Sequence, residues 1–483
     1  MADGVREFKQ NIGLLDATMI VAGSMIGSGI FIVSSEITRN VGGAGLLLLM
    51  WFLAGVITII AALSYGELSA MFPKAGGMYV YLREAYSPLV GFLYGWTFFT
   101  IIQTGTIAAV GVAFAKFASY LMPGVGEENI LFSLVGFDIA ASQLLSIVII
   151  VFLTYINSLG VKNGVAVQTI LTVVKILSLL ALIFFGFWWG ADSHIWNANW
   201  KDAWTLSTLI KDESTVTSIP LIGLAAFGSI AIAMKGSLFS CDSWHNISFI
   251  AGEVKNPKRN IGLSLLLGTI IVTLVYLLMN IMYLAVVPMQ DIAFAKSDRI
   301  GVVAAERIFG FSGTTLIAVM IMISTFGCNN GLILAGARVY YTMAKDRLFF
   351  PKAGVLNKYN VPANSLWMQC AWASLLCLTG KYNELLALVI FGVLIFYALT
   401  IFGIFVLRRT RPDAPRPYKA FAYPVLPALY IIIATVLALL LLIFETNFTL
   451  PGLGIILAGI PVYYFIMRKK DGQLKVQVTD QMQ

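Results

Sequence analysis

Small and polar residues interrupt an apolar segment near the start of the chain. Residues 22–33 read AGSMIGSGIFIV, with three glycines and two serines inside seven positions. Backbone groups that a helix break frees in apolar surroundings are costly unless something polar pairs them. A half-helix beginning near Gly27, Ser28 and Gly29 would present free N–H groups and a partial positive charge, which suits a carboxylate. The absence of a Cβ on glycine lets a ligand approach the backbone closely.

A second interruption predicts the complementary site. The half-helices that end near Met25-Ile26 and near Phe239-Ser240 would present free carbonyl oxygens, and converging carbonyls suit an ammonium. A carboxylate site and an ammonium site a few ångströms apart describe an α-amino acid. A simpler interpretation of Gly23 and Gly27 is helix packing, because a G-x-x-x-G pair commonly lets two membrane helices touch.

The composition indicates that a lipid bilayer surrounds these elements. Hydrophobic residues form 59% of the 483 residues and charged residues only 12%, whereas a soluble domain averages about a quarter charged. A spanning helix needs about 20 apolar residues. The sequence predicts an all-α integral membrane protein with about twelve such helices, at 12–33, 46–72, 88–122, 140–158, 165–189, 219–250, 261–287, 314–343, 363–379, 385–407, 424–444 and 450–468.

The net charge of +8 indicates topology and not a nucleic-acid partner. With the N-terminus inside and twelve spans, the inner positions hold 22 of the 32 Lys and Arg residues, in agreement with the positive-inside rule. Both termini are then cytoplasmic. The polar first residues do not resemble a cleaved signal peptide. Neither the two histidines nor the four cysteines have metal-ligand spacing, so we expect no metal and no cofactor.

The two interruptions also predict an internal repeat. GSMIGSGI at 23–30 and GSLFSCDSW at 236–244 both open with Gly-Ser, and the offset of 213 residues corresponds to five spans. Paired interruptions in two halves are typical of a transporter site. Because five is odd, the second copy enters the membrane from the opposite side. We therefore predict inverted repeats at 10–190 and 215–410, followed by two helices at 420–468, within one transmembrane domain.

Several stretches resemble one known superfamily. GSMIGSGIF resembles the first-helix signature of the amino acid–polyamine–organocation superfamily. FSCDSWHNISFIAGEVKNPKRN resembles the sixth helix and following loop of its L-type amino acid transporter branch. YGELSAMFPKAGGMYVYLREAY and GARVYYTMAKDR resemble the second helix with its loop and the end of the eighth helix. The resemblance spans residues 10 to about 415 and implies a LeuT-like fold working by alternating access.

The resemblance also implies roles for individual residues. The backbone of Gly27, Ser28 and Gly29 would receive the substrate carboxylate, and Met25 would line the pocket. The substrate amine would be received by the carbonyls of four other residues, namely Ile26, Phe239, Ser240 and Asp242. Phe239 falls where the family places an aromatic gate.

Three of the ionisable residues inside predicted spans are candidates for a function, namely Lys175, Lys235 and Asp242. The resemblance places Lys175 where sodium-independent relatives carry a lysine, whose ammonium would replace a sodium ion near Gly23 and Ser324. Such intramembrane charges are functional by default. Lys235 is equally compatible with snorkelling outward and with a function. We favour Asp242 as the cap of a helix that begins at Ser243 or Trp244. The alternative is that its carboxylate interacts directly with the substrate amine or with a proton.

Other polar residues have simpler interpretations. Glu67 and Arg83 are expected to pair at the cytoplasmic gate, Arg338 to lie at the inner surface, and His245 to be packed or hydrogen-bonded. The loop at 122–139 lacks the cysteine through which animal L-type transporters join a heavy chain, so no covalent heavy chain is expected.

These interpretations together predict a bacterial inner-membrane protein whose partners are an amino acid substrate and lipid. The predicted activity is sodium-independent transport of neutral L-α-amino acids, either as an exchanger or with protons. The alternative is transport of cationic amino acids or polyamines, with Asp242 as the amine partner. A channel or an enzyme is disfavoured, because neither a filter repeat nor a catalytic constellation is present in the spans.

Overall fold

Helices dominate the chain, as the apolar runs predict. The computed structural model describes residues 10–134, 137–160, 164–212, 215–379 and 382–481. The helices are α1 (Leu14–Met25), α2 (Gly29–Val41), α3 (Ala44–Met71), α4 (Met78–Ala85), α5 (Pro88–Thr97), α6 (Gln103–Leu121), α7 (Ala141–Ser158), α8 (Gly164–Phe185), α9 (Ser193–Trp200), α10 (Gly223–Ser240), α11 (Asn246–Phe249), α12 (Pro257–Val286), α13 (Met289–Ala293), α14 (Ile300–Lys345), α15 (Ala363–Thr379), α16 (Tyr382–Thr410), α17 (Val425–Phe444) and α18 (Thr446–Gln481).

The membrane-spanning helices agree with the predicted segments. Within the described residues, ten spans are long and apolar enough to cross a bilayer, and α1 with α2 forms an eleventh that is bent by 43°. The ninth predicted segment forms α15, whose 17 residues reach the lower end of the range for a spanning helix, about 17–25. The exposed faces of α8 and α17 carry apolar side chains such as Leu177 and Leu439, which suits contact with lipid.

Two short hairpins depart from the all-helical prediction. Antiparallel strands β1 (Ile130–Leu134) and β2 (Phe137–Ala140) follow α6, and strands β3 (Ser207–Asp212) and β4 (Thr215–Pro220) precede α10. Both hairpins lie in connections that the charge pattern assigns to the outside. Threonine, valine and isoleucine are frequent in β3 and β4, and β-branched residues favour strands.

Both predicted interruptions are breaks between helices. The helical path stops after Met25, where Ile26 takes an extended conformation with φ −73° and ψ 94°, and it resumes at Gly29. The second path stops after Ser240, and Ser243 has a positive φ of 66°. The short α11 then continues toward the following loop. The existence of paired breaks agrees with the repeat hypothesis, whose boundaries stay a prediction.

Candidate functional site

The two breaks meet around a small cavity. Its volume is about 20 Å³, which is room for about one water molecule. Seven of the eight predicted substrate residues line it, namely Met25, Gly27, Ser28, Gly29, Phe239, Ser240 and Asp242. The remaining wall consists of Ser24 on α1, Ser243 in the second break, Thr106 and Val110 on α6, and Cys328 on α14. Only Ile26 is turned away from the cavity.

Glycine lets the backbones approach closely at two positions. A Cβ on Gly29 would lie 2.0 Å from Oγ and 3.1 Å from Cα of Ser240, so the start of α2 touches the end of α10. A Cβ on Gly23 would lie 2.0 Å from Oγ1 of Thr172 on α8. The packing interpretation therefore holds for Gly23, while Gly29 brings the two breaks together.

The start of α2 offers unpaired donors. Among the described residues, the backbone N–H groups of Gly27, Ser28 and Gly29 have no hydrogen-bond acceptor, whereas the N–H of Phe31 donates to the Ser28 carbonyl at 3.0 Å. The first N–H groups of any helix lack intrahelical partners. All three residues face the cavity. This end of the cavity is therefore electropositive and fits a carboxylate.

The carbonyl side of the cavity is only partly paired. The Tyr276 hydroxyl lies 3.0 Å from the carbonyl oxygen of Met25 and 3.2 Å from that of Ser240, so its single proton serves both breaks. The Phe239 carbonyl accepts from the N–H of Asp242 at 3.1 Å. Each carbonyl oxygen has two lone pairs. Capacity to accept hydrogen bonds therefore remains at the ends of α1 and α10.

Lys175 occupies the carbonyl end of α1. Its Nζ donates to the carbonyl oxygens of Gly23 at 3.0 Å and of Ile26 at 3.1 Å, and the side chain is 3% exposed. A cation at the C-terminal end of a helix also interacts favourably with the helix dipole. The Ile26 carbonyl, which we expected to receive the substrate amine, thus faces Lys175 instead.

Ser324, the second predicted neighbour of Lys175, shares a cavity with it but makes no hydrogen bond to its ammonium in the part of the chain that the structure describes. Ser324 and Lys175 line a common small cavity between α8 and α14, but the Ser324 hydroxyl has no hydrogen-bond partner among the described residues. Lys175 does pack against α14, because a Cβ on Gly327 would lie 3.2 Å from its Cε. The ammonium therefore contacts α1 by hydrogen bonds and α14 by packing.

Aromatic rings cover the cavity on one side. Phe239 packs edge-on against Tyr382, with 6.1 Å between ring centroids, and the Tyr382 hydroxyl lies 3.1 Å from Oγ of Ser28. The Lys116 ammonium sits over the Tyr382 ring at 5.6 Å. Phe239 lies at the end of α10, and Tyr382 lies at the start of α16. The aromatic pair thus closes one side of the cavity.

Asp242 has a different role from the cap that we favoured. The helix after the break begins at Asn246, and its start carries no side-chain cap. The Asp242 carboxylate instead accepts a hydrogen bond of 2.5 Å from the Tyr397 hydroxyl. The same hydroxyl lies 2.5 Å from Nδ1 of His245. The cap prediction is wrong because the backbone around Ser243 turns before helical geometry resumes, whereas the hydrogen-bonded interpretation of His245 is confirmed.

Lys235 is held inside the protein and does not snorkel. Its Nζ lies 2.9 Å from Oε1 of Glu445 and 3.1 Å from Oε1 of Glu36, and its side chain is 2% exposed. This cluster joins α2 and α10 to the end of α17. The two carboxylates offset the free-energy cost of removing the ammonium from water.

The ion pairs of Glu67 and Arg83 differ from the predicted one. Glu67 pairs with Arg408 on α16 and not with Arg83, which pairs with Asp346. Arg338 is buried, and its Nε donates to Oε1 of Glu253 at 2.9 Å. Sequence proximity suggested the Glu67–Arg83 pair, but α3 and α4 direct these side chains to different helices.

Sequence reasoning missed the tyrosines that support the breaks. Tyr276 lies on α12, and Tyr382 and Tyr397 lie on α16, far along the chain from the residues they contact. No local motif marks them, because a tyrosine in an apolar run has the same pattern as an interfacial or packing residue. Only the packing of the helices reveals these contacts.

Comparisons with known proteins agree with this geometry. The family model described as amino acid permease matches residues 12–467. The serine/threonine exchanger SteT of Bacillus subtilis strain 168 is 31% identical over 466 residues, which cover 96% of this chain and 98% of that protein. Two proteins of Mus musculus are also similar. The b(0,+)-type amino acid transporter 1 is 27% identical, covering 96% and 89%, and the large neutral amino acids transporter small subunit 2 is 28% identical, covering 94% and 81%.

The matched length, the helical membrane fold and the paired breaks therefore lead to one conclusion. This chain belongs to the amino acid permease family of the amino acid–polyamine–organocation superfamily, whose similar members are multi-pass membrane transporters and exchangers and not enzymes.

Proposed function

We propose that this chain exchanges neutral L-α-amino acids across a bacterial inner membrane by alternating access, without sodium. The observation that carries the proposal is the presence of backbone donors and backbone acceptors around one cavity. The donors are the N–H groups of Gly27–Gly29, which have no acceptor among the described residues, and the acceptors are the carbonyls of Met25 and Ser240. The similarity to an exchanger named for serine and threonine, and to a transporter named for large neutral amino acids, supports this substrate class.

The substrate carboxylate binds at the start of α2. Three residues that line the cavity there have backbone N–H groups without an acceptor among the described residues, and the positive end of the helix dipole adds to the attraction. Backbone donors recognise the part that all α-amino acids share. Discrimination among side chains then belongs to the wall formed by Thr106, Val110 and Cys328.

The substrate ammonium binds at the ends of α1 and α10. The carbonyls of Met25 and Ser240 share one tyrosine proton and keep lone pairs free. Asp242 lines the same cavity and adds a negative charge when it is ionised. This arrangement replaces the Ile26 carbonyl, which is engaged by Lys175.

The contacts of Lys175 support the proposal that transport does not need sodium. Its ammonium already donates to the carbonyl oxygens of Gly23 and Ile26, the groups that a cation at this break would need. A bound sodium ion would have to displace a tethered charge of the same sign. The break is therefore stabilised by a covalently attached cation.

Binding requires the walls of the cavity to separate. The present volume of about 20 Å³ admits about one water molecule, which is far smaller than an amino acid. On the outer side, the Phe239–Tyr382 pair and the contact of Tyr382 with Ser28 have to open. On the inner side, the Arg338–Glu253 pair has to separate.

Cationic substrates are the second candidate, and Asp242 is the observation that favours them. Its buried carboxylate has no Lys, Arg or His within 4.0 Å among the described residues. A guanidinium or a second ammonium on the substrate could pair with it. The hydrogen bond from Tyr397 already satisfies one of its oxygens, so we rank neutral substrates first.

The orientation and the assembly follow from charge and cysteine placement. The excess of Lys and Arg in one set of connections supports cytoplasmic termini. All four cysteines, Cys241, Cys328, Cys370 and Cys377, are buried. Their burial supports the proposal that no disulfide joins this chain to a heavy chain.

Exchange in proteoliposomes tests the proposal. Vesicles containing the purified protein are loaded with unlabelled serine or left empty, and uptake of labelled serine is measured with sodium or choline outside. We expect uptake only into loaded vesicles, with equal rates in both salts. A strict need for sodium would refute the role of Lys175. Uptake of labelled arginine or putrescine in place of serine would establish the second candidate.

A further inference from the structure

Asp242 is a buried carboxylate beside the substrate cavity, and it forms no ion pair with any residue that the structure describes. It is 6% exposed, and it lines both the substrate cavity and a second small cavity between α3, α10 and α16. An ionised carboxylate in such surroundings is costly unless it is paired. Intramembrane carboxylates of this kind are associated with ion and proton pathways.

One phenol joins Asp242 to a histidine. The Tyr397 oxygen lies 2.5 Å from Oδ1 of Asp242 and 2.5 Å from Nδ1 of His245. A phenol has one proton, so it can donate to only one of these atoms at a time. The other contact must then be a hydrogen bond that the tyrosine oxygen accepts. The three side chains form a continuous hydrogen-bonded row.

This row has two proton arrangements that differ by one proton. In the first, Tyr397 donates to an ionised Asp242, and Nδ1–H of His245 donates to Tyr397. In the second, a protonated Asp242 donates to Tyr397, and Tyr397 donates to Nδ1 of a histidine protonated on Nε2. A proton added at Nε2 converts the first into the second: Nδ1 gives its proton to the tyrosine oxygen, and the tyrosine gives its own to the carboxylate.

His245 forms the end of the row that can accept a proton. His245 is 3% exposed, and its Nε2 has no hydrogen-bond partner among the described residues. Its ring packs edge-on against Phe249 on α11, at a centroid distance of 5.0 Å. The row therefore runs from the substrate cavity toward the half of the break that leads to the inner loop.

The other titratable groups around Asp242 are phenols and thiols. Tyr430 and Cys241 line the second cavity, Cys328 lines the substrate cavity, Tyr65 packs edge-on against Tyr397 at 5.9 Å, and Tyr94 lies within electrostatic range. Phenols and thiols stay largely neutral near pH 7. Among the described neighbours, Asp242 and His245 are thus the groups that can take up or give up a proton at the two ends of the row, at the carboxylate and at Nε2.

We propose that Asp242, Tyr397 and His245 form a proton-binding relay, and that its proton competes with the substrate ammonium for the Asp242 carboxylate. The proposal rests on the proposed function, since it assumes an α-amino acid in the cavity. Substrate binding then favours the ionised carboxylate and expels the proton through His245. Protonation of the relay weakens the hold on the ammonium and favours release.

Proton release on binding is the direct test. Serine is added to the purified, weakly buffered protein with a pH-indicator dye, and serine affinity is measured from about pH 8 to about pH 5. We expect protons to be released on binding, and the affinity to fall by up to about tenfold per pH unit once the relay is protonated. Asp242→Asn should abolish the proton release and flatten the pH profile.

Two further variants separate a relay from an isolated carboxylate. Tyr397→Phe breaks the row, and His245→Gln keeps a hydrogen-bonding side chain that does not titrate, so both should change the proton release. The matched control is Tyr94→Phe, which removes the hydroxyl of a buried tyrosine that has no hydrogen-bond partner among the described residues. We expect this control to resemble the native protein.

The outcomes distinguish the two proposals. Absence of serine binding at every pH would overturn the proposed function. Serine binding without proton release and with a flat pH profile would overturn the relay while leaving the proposed function intact. Unchanged proton release in His245→Gln and Tyr397→Phe would also overturn the relay, because Asp242 would then titrate alone.

Discussion

Replacement of Lys175 by methionine removes the ammonium but keeps much of the side-chain length. In the native protein this ammonium donates hydrogen bonds of 3.0 and 3.1 Å to the carbonyl oxygens of Gly23 and Ile26. The side chain is almost fully buried, so bulk solvent does not replace the lost donor. The variant therefore leaves two carbonyls without a partner at the break that presents the substrate-binding N–H groups.

The expected loss follows from these two contacts. A hydrogen bond from a charged donor contributes about 1.5–3 kcal/mol, so the pair contributes about 3–6 kcal/mol. Methionine offsets part of this, because it avoids the cost of burying an ammonium. The smallest expected effect is the loss of one hydrogen bond of about 1.5 kcal/mol from the conformation that binds substrate. A loss of this size in binding free energy lowers the affinity about tenfold. We therefore expect Lys175→Met to weaken serine binding by at least about tenfold.

The assay is equilibrium binding of labelled serine to purified protein that elutes as a single species. Lys235→Met is the matched control, because it also removes a buried intramembrane ammonium, but one bonded to carboxylates away from the break. We expect this control to lower stability and to keep the native affinity in the folded fraction. Native affinity in Lys175→Met, or an equal loss in both variants, would refute the reasoning.

Further measurements test the close packing at Gly29, the ion-pair cluster at Lys235 and the hydroxyl of Tyr276. Gly29→Ala should lose serine binding, since its Cβ would overlap Ser240, and overpacking costs about 1–3 kcal/mol; adding Ser240→Gly should recover part of the binding, and no recovery would contradict the contact. Lys235→Met should destabilise the protein in a thermal-unfolding assay by about 3–5 kcal/mol, and glutamine at its two glutamate partners should restore stability. Tyr276→Phe should slow serine exchange, because it removes the proton shared by the two breaks, and an unchanged exchange rate would argue against that bridge.

The prediction of the helix breaks succeeded because its signal was local. Glycine and serine at 23–29 and the polar run after Phe239 both mark breaks, and the residues at those breaks do meet around one cavity. The prediction failed where a partner had to be chosen. Ile26 faces Lys175, Asp242 bonds to Tyr397 and does not cap a helix, and Glu67 pairs with Arg408. A local pattern states that a backbone is interrupted, but not which distant side chain pairs with it.

The sequence by itself determined the membrane environment, the spans and the positions of the two breaks. These properties depend on the apolar content of short segments and on the conformational needs of neighbouring residues, which are local quantities. The tertiary structure decided the rest: which tyrosines support the breaks, where Lys175 donates its protons, and how Lys235 is compensated. Those choices depend on helix packing over hundreds of residues, because an ammonium or a phenol in an apolar span pairs with whichever polar group the fold brings within reach.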